Sequence, residues 1–302
     1  MEEMTTGLCP KCGHTLQIPA ELERFSCMYC GDRLTNRQLR TQPEEASCSE
    51  EDCAVSFDHA VSRLGWCVQN FRGYQKKILR DAFFEAFETY ETGCAPVIQE
   101  LNSGVRPERQ TELLDRAAEA MLDELSAGWE KKNDMEDEKV ILAIFFVPMV
   151  RKLQLPVSEE FVSLLQKKWV ERYPKSPFYL GDYESISGGF RKKFLGLCFI
   201  TTAVCQELGK PDDCAELTAF RAFRDGYLAA QPDGEALIRE YYNIAPGIVT
   251  CINTCSDRHA SYERIREQYL APCYEDLLAG RNEICKARYV QMVRDLEREY
   301  LN

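Results

Sequence analysis

Apolar side chains recur every three to four residues through most of the chain, which is the spacing of one face of an α-helix. Helices with such a stripe bury it against one another, so the pattern between residues 56 and 172 predicts a bundle. We expect its helices over 56–87, 112–129 and 138–153, and from residue 158 onward. The predicted fold class is therefore mostly α, with a helical bundle over 55–173.

A stretch rich in glycine, proline and serine interrupts this periodicity over 174–189, and we expect a connecting loop at 174–195. Helical spacing resumes beyond it. Asp213 is suited to cap one helix, and Pro246 is suited to the first turn of another, where a missing N–H does no harm. We expect 196–302 to be a second helical domain with C-terminal helices that pack back on the body.

The most apolar stretch covers only 140–150, which is too short to cross about 30 Å of hydrocarbon. We therefore expect a buried core helix there and no membrane span. The start Met1-Glu2-Glu3-Met4 is acidic, whereas a secretory signal begins with a basic region. Together with 15 cysteines, this favours a reducing, cytoplasmic location, where thiols are metal ligands, core residues or reactive groups.

The chain is acidic, with a formal net charge of −12 over 302 residues. Nucleic acids and anionic membranes both attract clustered lysine and arginine, so this charge disfavours either as a partner. Residues 1–40 contain five acidic and five basic side chains and are formally neutral. The negative charge therefore lies in the predicted helical body.

Four cysteines near the N-terminus have the spacing of a metal site, C-x2-C-x14-C-x2-C. They are Cys9, Cys12, Cys27 and Cys30. Each pair can form a tight turn that brings two sulfurs to one point, and a glycine follows each pair. Four thiolates in a tetrahedron suit Zn²⁺, whereas unligated thiols would leave so small a segment with too little core to fold.

Over residues 7–35 this pattern resembles a zinc ribbon, and we expect a ribbon domain over 1–40 that holds one structural zinc. A closed four-cysteine site has no open coordination position, so we expect no catalysis at this metal. Residues 41–54 are acidic and short of apolar side chains, which predicts a linker with Cys48 and Cys53 as exposed thiols.

A second resemblance rests on residues spread through the C-terminal part. They are Cys198-Phe199-Ile200-Thr201-Thr202, Asp213-Cys214, the segment 217–225 and Tyr241-Tyr242-Asn243-Ile244-Ala245-Pro246. In this order and spacing, residues 196–256 resemble the bacterial CFI-box domain. The resemblance implies a helical fold, and it brings no biochemical activity with it.

Several side chains of this region are candidates for chemistry. The cysteine and histidine candidates are Cys198, Cys205, Cys214, Cys251, Cys255 and His259. The last three are spaced i, i+4, i+8, so one helix would place them on one face. Three interpretations remain open. They are buried core thiols, which we favour, a second metal or iron–sulfur centre, and cysteine catalysis with Cys198 as nucleophile and His259 as base.

The segment 217–225 adds three charged candidates, Arg221, Arg224 and Asp225. Asp225 follows Arg221 by four residues, so the two can pair on one helix face. Alternatively, the two guanidiniums could bind an anion together.

Two classes of function follow. We favour a zinc-binding, cytoplasmic adaptor whose ribbon contacts a protein partner, because the sequence contains no P-loop, dinucleotide-binding glycine motif, H-E-x-x-H or G-x-S-x-G. The alternative is a cysteine-dependent enzyme, or a redox or metal sensor, centred on Cys198.

Overall fold

The computed structural model describes residues 4–8, 15–19, 22, 24–29, 31–35, 50–131, 133–191, 198–254 and 257–302. The chain divides into two compact units, Met1–Cys53 and Ala54–Asn302. The described residues are mostly helical, which confirms the predicted fold class, and a small strand region lies near the N-terminus. None of the helices in these ranges is long and apolar enough to span a bilayer.

The first unit contains two β-hairpins. Strand β1 (Met4–Leu8) pairs antiparallel with β2 (Thr15–Pro19), and β3 (Arg24–Ser26) pairs antiparallel with β4 (Arg33–Thr35). A small hydrophobic cluster joins Leu16 of the first hairpin to Cys27 and Leu34 of the second, with Phe25 packed against it. Each hairpin thus contributes an apolar side chain to a shared core.

The second unit is built from helices. Its N-terminal half contains α1 (Glu50–Leu64), α2 (Trp66–Gln69), α3 (Phe83–Gly104), α4 (Gln110–Ala127), α5 (Asp134–Ile141), α6 (Val147–Lys152) and α7 (Ser158–Arg172). Its C-terminal half contains α8 (Tyr183–Arg191), α9 (Phe199–Glu207), α10 (Ala215–Ala222), α11 (Gly234–Thr254), α12 (Arg258–Ile265), α13 (Ala271–Leu278) and α14 (Asn282–Tyr300). α4 packs on α7, and α11 packs on α9 and α14.

Three wide, π-helical turns interrupt or extend the described helices. They cover Leu142–Phe146 between α5 and α6, Phe223–Leu228 after α10, and Arg266–Leu270 between α12 and α13. The first lies in the apolar stretch, where every residue of 141–150 is buried. That stretch is therefore core, as its short length and closely flanking charges predict.

The single helix predicted over 56–87 is wrong. α1 ends at Leu64 and α2 at Gln69, and Gly73 then adopts a φ of +93° before a 3-10 turn at Tyr74–Lys77. A residue at positive φ cannot continue a right-handed helix, so the apolar period carries on through a backbone that has turned.

The predicted linker and connecting loop are both partly helical. α1 begins at Glu50, where three acidic side chains in its first turn favour the positive end of the helix dipole, and Cys53 is buried. α8 forms inside the predicted loop, because Asp182 caps it by accepting hydrogen bonds from the N–H and Oγ of Ser185. Helices on both sides of that loop belong to the single unit Ala54–Asn302.

α11 runs straight through Pro246, which the sequence placed in a first turn. Its backbone passes very close to the segment before α3. A Cβ added at Gly247 would lie 1.8 Å from the carbonyl oxygen of Ile78. The N–H of Arg80 donates to the carbonyl oxygen of Asn243 at 3.0 Å, so the neighbouring segment pairs with the helix backbone beside the proline.

Candidate functional site

The predicted metal ligands lie in the segments that connect the strands of the two hairpins. Cys9 and Cys12 fall between β1 and β2, and Cys27 and Cys30 follow β3. Cys9, Cys12 and Cys30 lie outside the described residues, and Cys27 lies inside them. Within the described part of the chain, no group of three histidine, cysteine or acidic side chains is placed to hold a metal.

The backbone around Cys27 forms a closed turn. The N–H of Cys27 donates to the carbonyl oxygen of Asp32, and the N–H of Gly31 donates to the carbonyl oxygen of Cys27, both at 2.8 Å. Gly31 has a φ of +73°, a conformation that glycine adopts without steric cost. The side chain of Cys27 is 2% exposed. Cys27 is therefore a buried cysteine at the start of a tight turn.

The second candidate centre is a cavity of about 60 Å³ in the C-terminal half, here called the Cys198 cavity. Residues far apart in sequence line it, including Cys198, Phe220, Phe223, Arg224, Tyr241 and Tyr289. Five of these six lie within residues 196–256, and the sixth is on α14. Apolar carbon dominates the lining, and the sulfur and guanidinium are among its few polar groups.

Burial controls the chemistry of the Cys198 thiol. Loss of solvent raises the pKa of Cys198 above its ordinary value, although the charges of Arg224 and Arg221 act to lower it. The Nη1 of Arg224 donates to the sulfur at 3.5 Å. A thiol that stays protonated at neutral pH is a poor nucleophile, so this environment favours the core-thiol interpretation.

The predicted pairing of Arg221 with Asp225 is wrong. Arg221 instead binds the carbonyl oxygen and Oδ1 of Asp212, both at 2.8 Å, in the segment before α10. Asp225 accepts two hydrogen bonds from Arg224, at 2.6 and 2.8 Å, which lowers the pKa of Asp225. The helix widens into a π-helical turn at Phe223–Leu228, so the i, i+4 spacing of a regular α-helix does not apply there.

A chain of hydrogen-bonded hydroxyls includes two tyrosines that line the cavity, Tyr241 and Tyr289, and was missed from the sequence. The N–H of Ile200 donates to the Tyr241 hydroxyl at 3.0 Å, and the Tyr289 hydroxyl lies 3.4 Å from Tyr241 and 3.1 Å from Thr201. Burial raises the pKa of both tyrosines. Tyr289 lies 88 residues from Thr201, and nothing in its local sequence marks this contact.

Cys205 and Cys214 lie together and apart from Cys198. Their sulfurs are 3.7 Å apart. Cys205 is near the end of α9, whereas Cys198 immediately precedes its first residue. The cysteines at the two ends of this helix therefore do not share a metal or a reaction centre.

The predicted group of Cys251, Cys255 and His259 does not form around Cys198. Cys251 is fully buried and lines another cavity, and Cys255 lies outside the described residues. His259 is exposed, and its Nδ1 lies 3.4 Å from Glu207, the last residue of α9. α9 rises about 13 Å over its length, so His259 lies near the opposite end of this helix from Cys198, the thiol with which the sequence pairs it.

No protein-family model, curated protein or solved structure matches this chain.

Proposed function

We propose that this chain is a zinc-binding, cytoplasmic adaptor protein whose N-terminal ribbon contacts a protein partner. One observation carries the proposal: the two cysteine pairs fall at the connections of two β-hairpins that share a core. Two hairpins held together in this way can supply four thiolates to one Zn²⁺. Cys9, Cys12, Cys27 and Cys30 would hold it, and the metal would supply folding free energy.

The small size of the first unit supports a metal in this place. Its described hydrophobic cluster comprises Leu16, Cys27 and Leu34, with Phe25 against it. So few apolar side chains give little burial, and small domains of this kind depend on a metal or on disulfides for stability. We expect this protein in a reducing compartment, where disulfides are rare, so a zinc ion is the more suitable source of stability.

The turn between Cys27 and Cys30 supports contact with a protein. It presents Met28 and Tyr29, which are 77% and 58% exposed. Methionine and tyrosine are enriched at protein interfaces. Nucleic acid is disfavoured, because residues 1–40 are formally neutral and zinc with four thiolates adds two negative charges.

Photocrosslinking in the cells that make the protein tests this contact. A benzophenone amino acid replaces Met28 or Tyr29 in the full chain, and a matched variant carries it at Leu278, which is 70% exposed on the helical unit. We expect a discrete protein adduct from positions 28 and 29, absent from position 278. The adduct should disappear when Cys9 and Cys12 are both replaced by serine, because the ribbon then lacks its metal.

Other results of that experiment count against the adaptor function. Adducts with nucleic acid would show that the ribbon contacts nucleic acid and not a protein. Adducts of equal yield from positions 28 and 278 would reduce the contact to general surface stickiness. An adduct that persists without Cys9 and Cys12 would separate the contact from zinc.

A second candidate function is the binding of a small apolar molecule in the Cys198 cavity. The favouring observation is that residues far apart in sequence line this cavity, including Phe223, Arg224 and Leu228 of a π-helical turn. Such turns are frequent at functional sites, and ligand cavities are mostly apolar with a few placed polar groups.

Ligand-induced stabilisation tests this second function. Xenon under pressure is the probe, because a single apolar atom suits a cavity of about 60 Å³, and the thermal midpoint of the full chain is measured with and without it. We expect a rise in the native chain that is lost in Val293→Phe, whose larger side chain occupies the cavity, and kept in Val170→Phe, a change on the exposed face of α7. No rise in the native chain, or an equal rise in both variants, would remove this function.

A further inference from the structure

Two cysteine thiols are in contact at the junction of α9 and α10. Cys205 is in the last turn of α9, Cys214 immediately precedes α10, and their sulfurs are 3.7 Å apart. A disulfide needs about 2.05 Å, so the sulfurs would have to approach by about 1.7 Å.

The connection between the two helices can supply this movement. Gly209 has a φ of +68°, and a Cβ added there would meet nothing within 4 Å, so this turn is not tightly packed. Cys214 has an extended backbone as the N-cap of α10, and its carbonyl oxygen accepts the first hydrogen bond of that helix, from the N–H of Thr218. The required shift can come from the connection 208–213 and from rotation of the two cysteine side chains.

Small molecules can reach this pair. A crevice of about 130 Å³ is lined by Cys205, Lys210 and Glu216 among others, and Cys214 is only half-buried. A single water needs about 15 Å³, so the crevice admits a molecule the size of hydrogen peroxide.

Two other cysteine pairs serve as internal comparisons. Cys67 lies beside Cys94, and Cys273 lies beside Cys285. All four side chains are fully buried in the hydrophobic core. Neighbouring cysteines are therefore common in this fold. The pair Cys205 and Cys214 differs from the other two pairs because small molecules can reach it from solvent.

We propose that Cys205 and Cys214 are a redox modification site that a hydroperoxide converts to a reversible disulfide. The proposal goes beyond the adaptor function and does not depend on zinc, because both thiols lie in the unit Ala54–Asn302. It places redox chemistry at this pair, away from the buried Cys198 on which the sequence centred it.

The chemistry balances in two steps. The half-buried Cys214 thiolate attacks one oxygen of hydrogen peroxide, the O–O bond breaks, and the thiol proton leaves with the other oxygen as water. Cys205 then attacks the sulfur of the resulting sulfenic acid, and a second water leaves. Two thiols lose two electrons and two hydrogens, and one peroxide becomes two waters. Burial and the neighbouring thiol raise the pKa of Cys205 to about 12, so Cys205 is mostly protonated at neutral pH and is not the thiol that meets the peroxide first. It reacts in the second step because its sulfur already lies beside that of Cys214.

The bond would act on a wall of the Cys198 cavity. Phe220 of α10 lines both that cavity and the crevice beside Cys205. Tying the start of α10 to the end of α9 therefore restrains a helix that the cavity uses.

Peptide mapping of the oxidised full chain tests the site. The native chain is treated with hydrogen peroxide, its remaining thiols are blocked under denaturing conditions, and it is cleaved after glutamate. Cleavage after Glu207 and Glu216 releases Cys214 in the peptide 208–216. We expect this peptide to be joined to the one containing Cys205, 2 Da lighter than the two peptides with free thiols at 205 and 214 and a blocked Cys198, and to separate on reduction.

Variants assign the partner, because the peptide before Glu207 also contains Cys198. Cys198→Ser should leave the joined peptide unchanged, and Cys205→Ser should abolish it and leave a sulfenic acid on Cys214 that dimedone traps. A joined peptide lost in Cys198→Ser would overturn the assignment. Equal oxidation of the fully buried pair Cys273 and Cys285, or no joined peptide in the native chain, would overturn the site itself.

Discussion

The guanidinium of Arg224 lies 3.5 Å from the sulfur of Cys198, yet the pKa of that thiol remains above its ordinary value. Two effects oppose each other here. The positive charge favours thiolate, and loss of water favours the neutral thiol. Asp225 also binds two nitrogens of Arg224 and offsets part of its charge. Desolvation is the largest effect, so the pocket keeps a protonated sulfur and not an activated nucleophile.

Slow alkylation of Cys198 follows from this balance. In the folded chain at neutral pH, we expect iodoacetamide to modify Cys198 more slowly than in the chain unfolded in urea, because the raised pKa lowers the fraction of thiolate and burial limits access to the sulfur. Timed labelling with mass spectrometry of each cysteine peptide measures both rates, and the half-buried Cys214 provides an internal reference. A Cys198 that labels faster in the folded chain would restore the cysteine-enzyme interpretation.

Loss of stability at alkaline pH follows from the same burial. Cys198, Cys205 and Tyr241 all have pKa values raised in the folded chain, to about 12 for Cys205. The unfolded chain releases these protons at lower pH, so it binds fewer protons than the folded chain there. The stabilisation is fully present below about pH 8.5, and it is lost as the pH rises toward the folded values.

Urea unfolding under reducing conditions measures this dependence. We expect the free energy of unfolding to fall between pH 8.5 and 10.5, with a slope of up to about 1.4 kcal/mol per pH unit for each such thiol. Cys205→Ala should make the slope shallower. A free energy that is level or rising across this range would contradict the raised pKa values.

A pair of glycine substitutions tests the close approach of α11 to the segment before α3. A Cβ at position 247 would lie 1.8 Å from the backbone oxygen of Ile78, so Gly247→Ala should destabilise the fold by about 3 kcal/mol or more. Gly188→Ala is the matched control, because a Cβ there meets nothing within 4 Å and the residue lies inside α8. It should stabilise by up to about 1 kcal/mol. Similar effects of the two changes on the urea midpoint would contradict this packing.

Local spacing predicts the elements of this protein well and their partners poorly. The helices predicted from 112 and 158 and the buried stretch 141–150 follow from the apolar pattern alone, since burial of one face is a local property. The turn at Gly73 depends on one positive φ. The spacing of the apolar residues continues unchanged across it, so that spacing does not reveal the turn. Gly31 also has positive φ, but the cysteine spacing beside it marks the turn.

The candidate site shows the same division. That 198–256 contains a buried centre is readable from its apolar and cysteine-rich sequence. The pairing of Arg221 with Asp212 and the contact of Thr201 with Tyr289 cannot be predicted from the sequence. These contacts depend on how a connection folds and on which helices become neighbours. Cys205 and Cys214 meet for the same reason, through the turn between α9 and α10.

Metal content is the most direct test of the adaptor account, whose central claim is a zinc held by the two hairpins. The full chain is purified without oxygen and its metals are measured by mass spectrometry. The double variant Cys9→Ser with Cys12→Ser and the unit Ala54–Asn302 are treated in the same way. We predict one zinc per full chain and none in the other two samples. A full chain without zinc, or zinc retained by the double variant or by the isolated unit, would contradict the account.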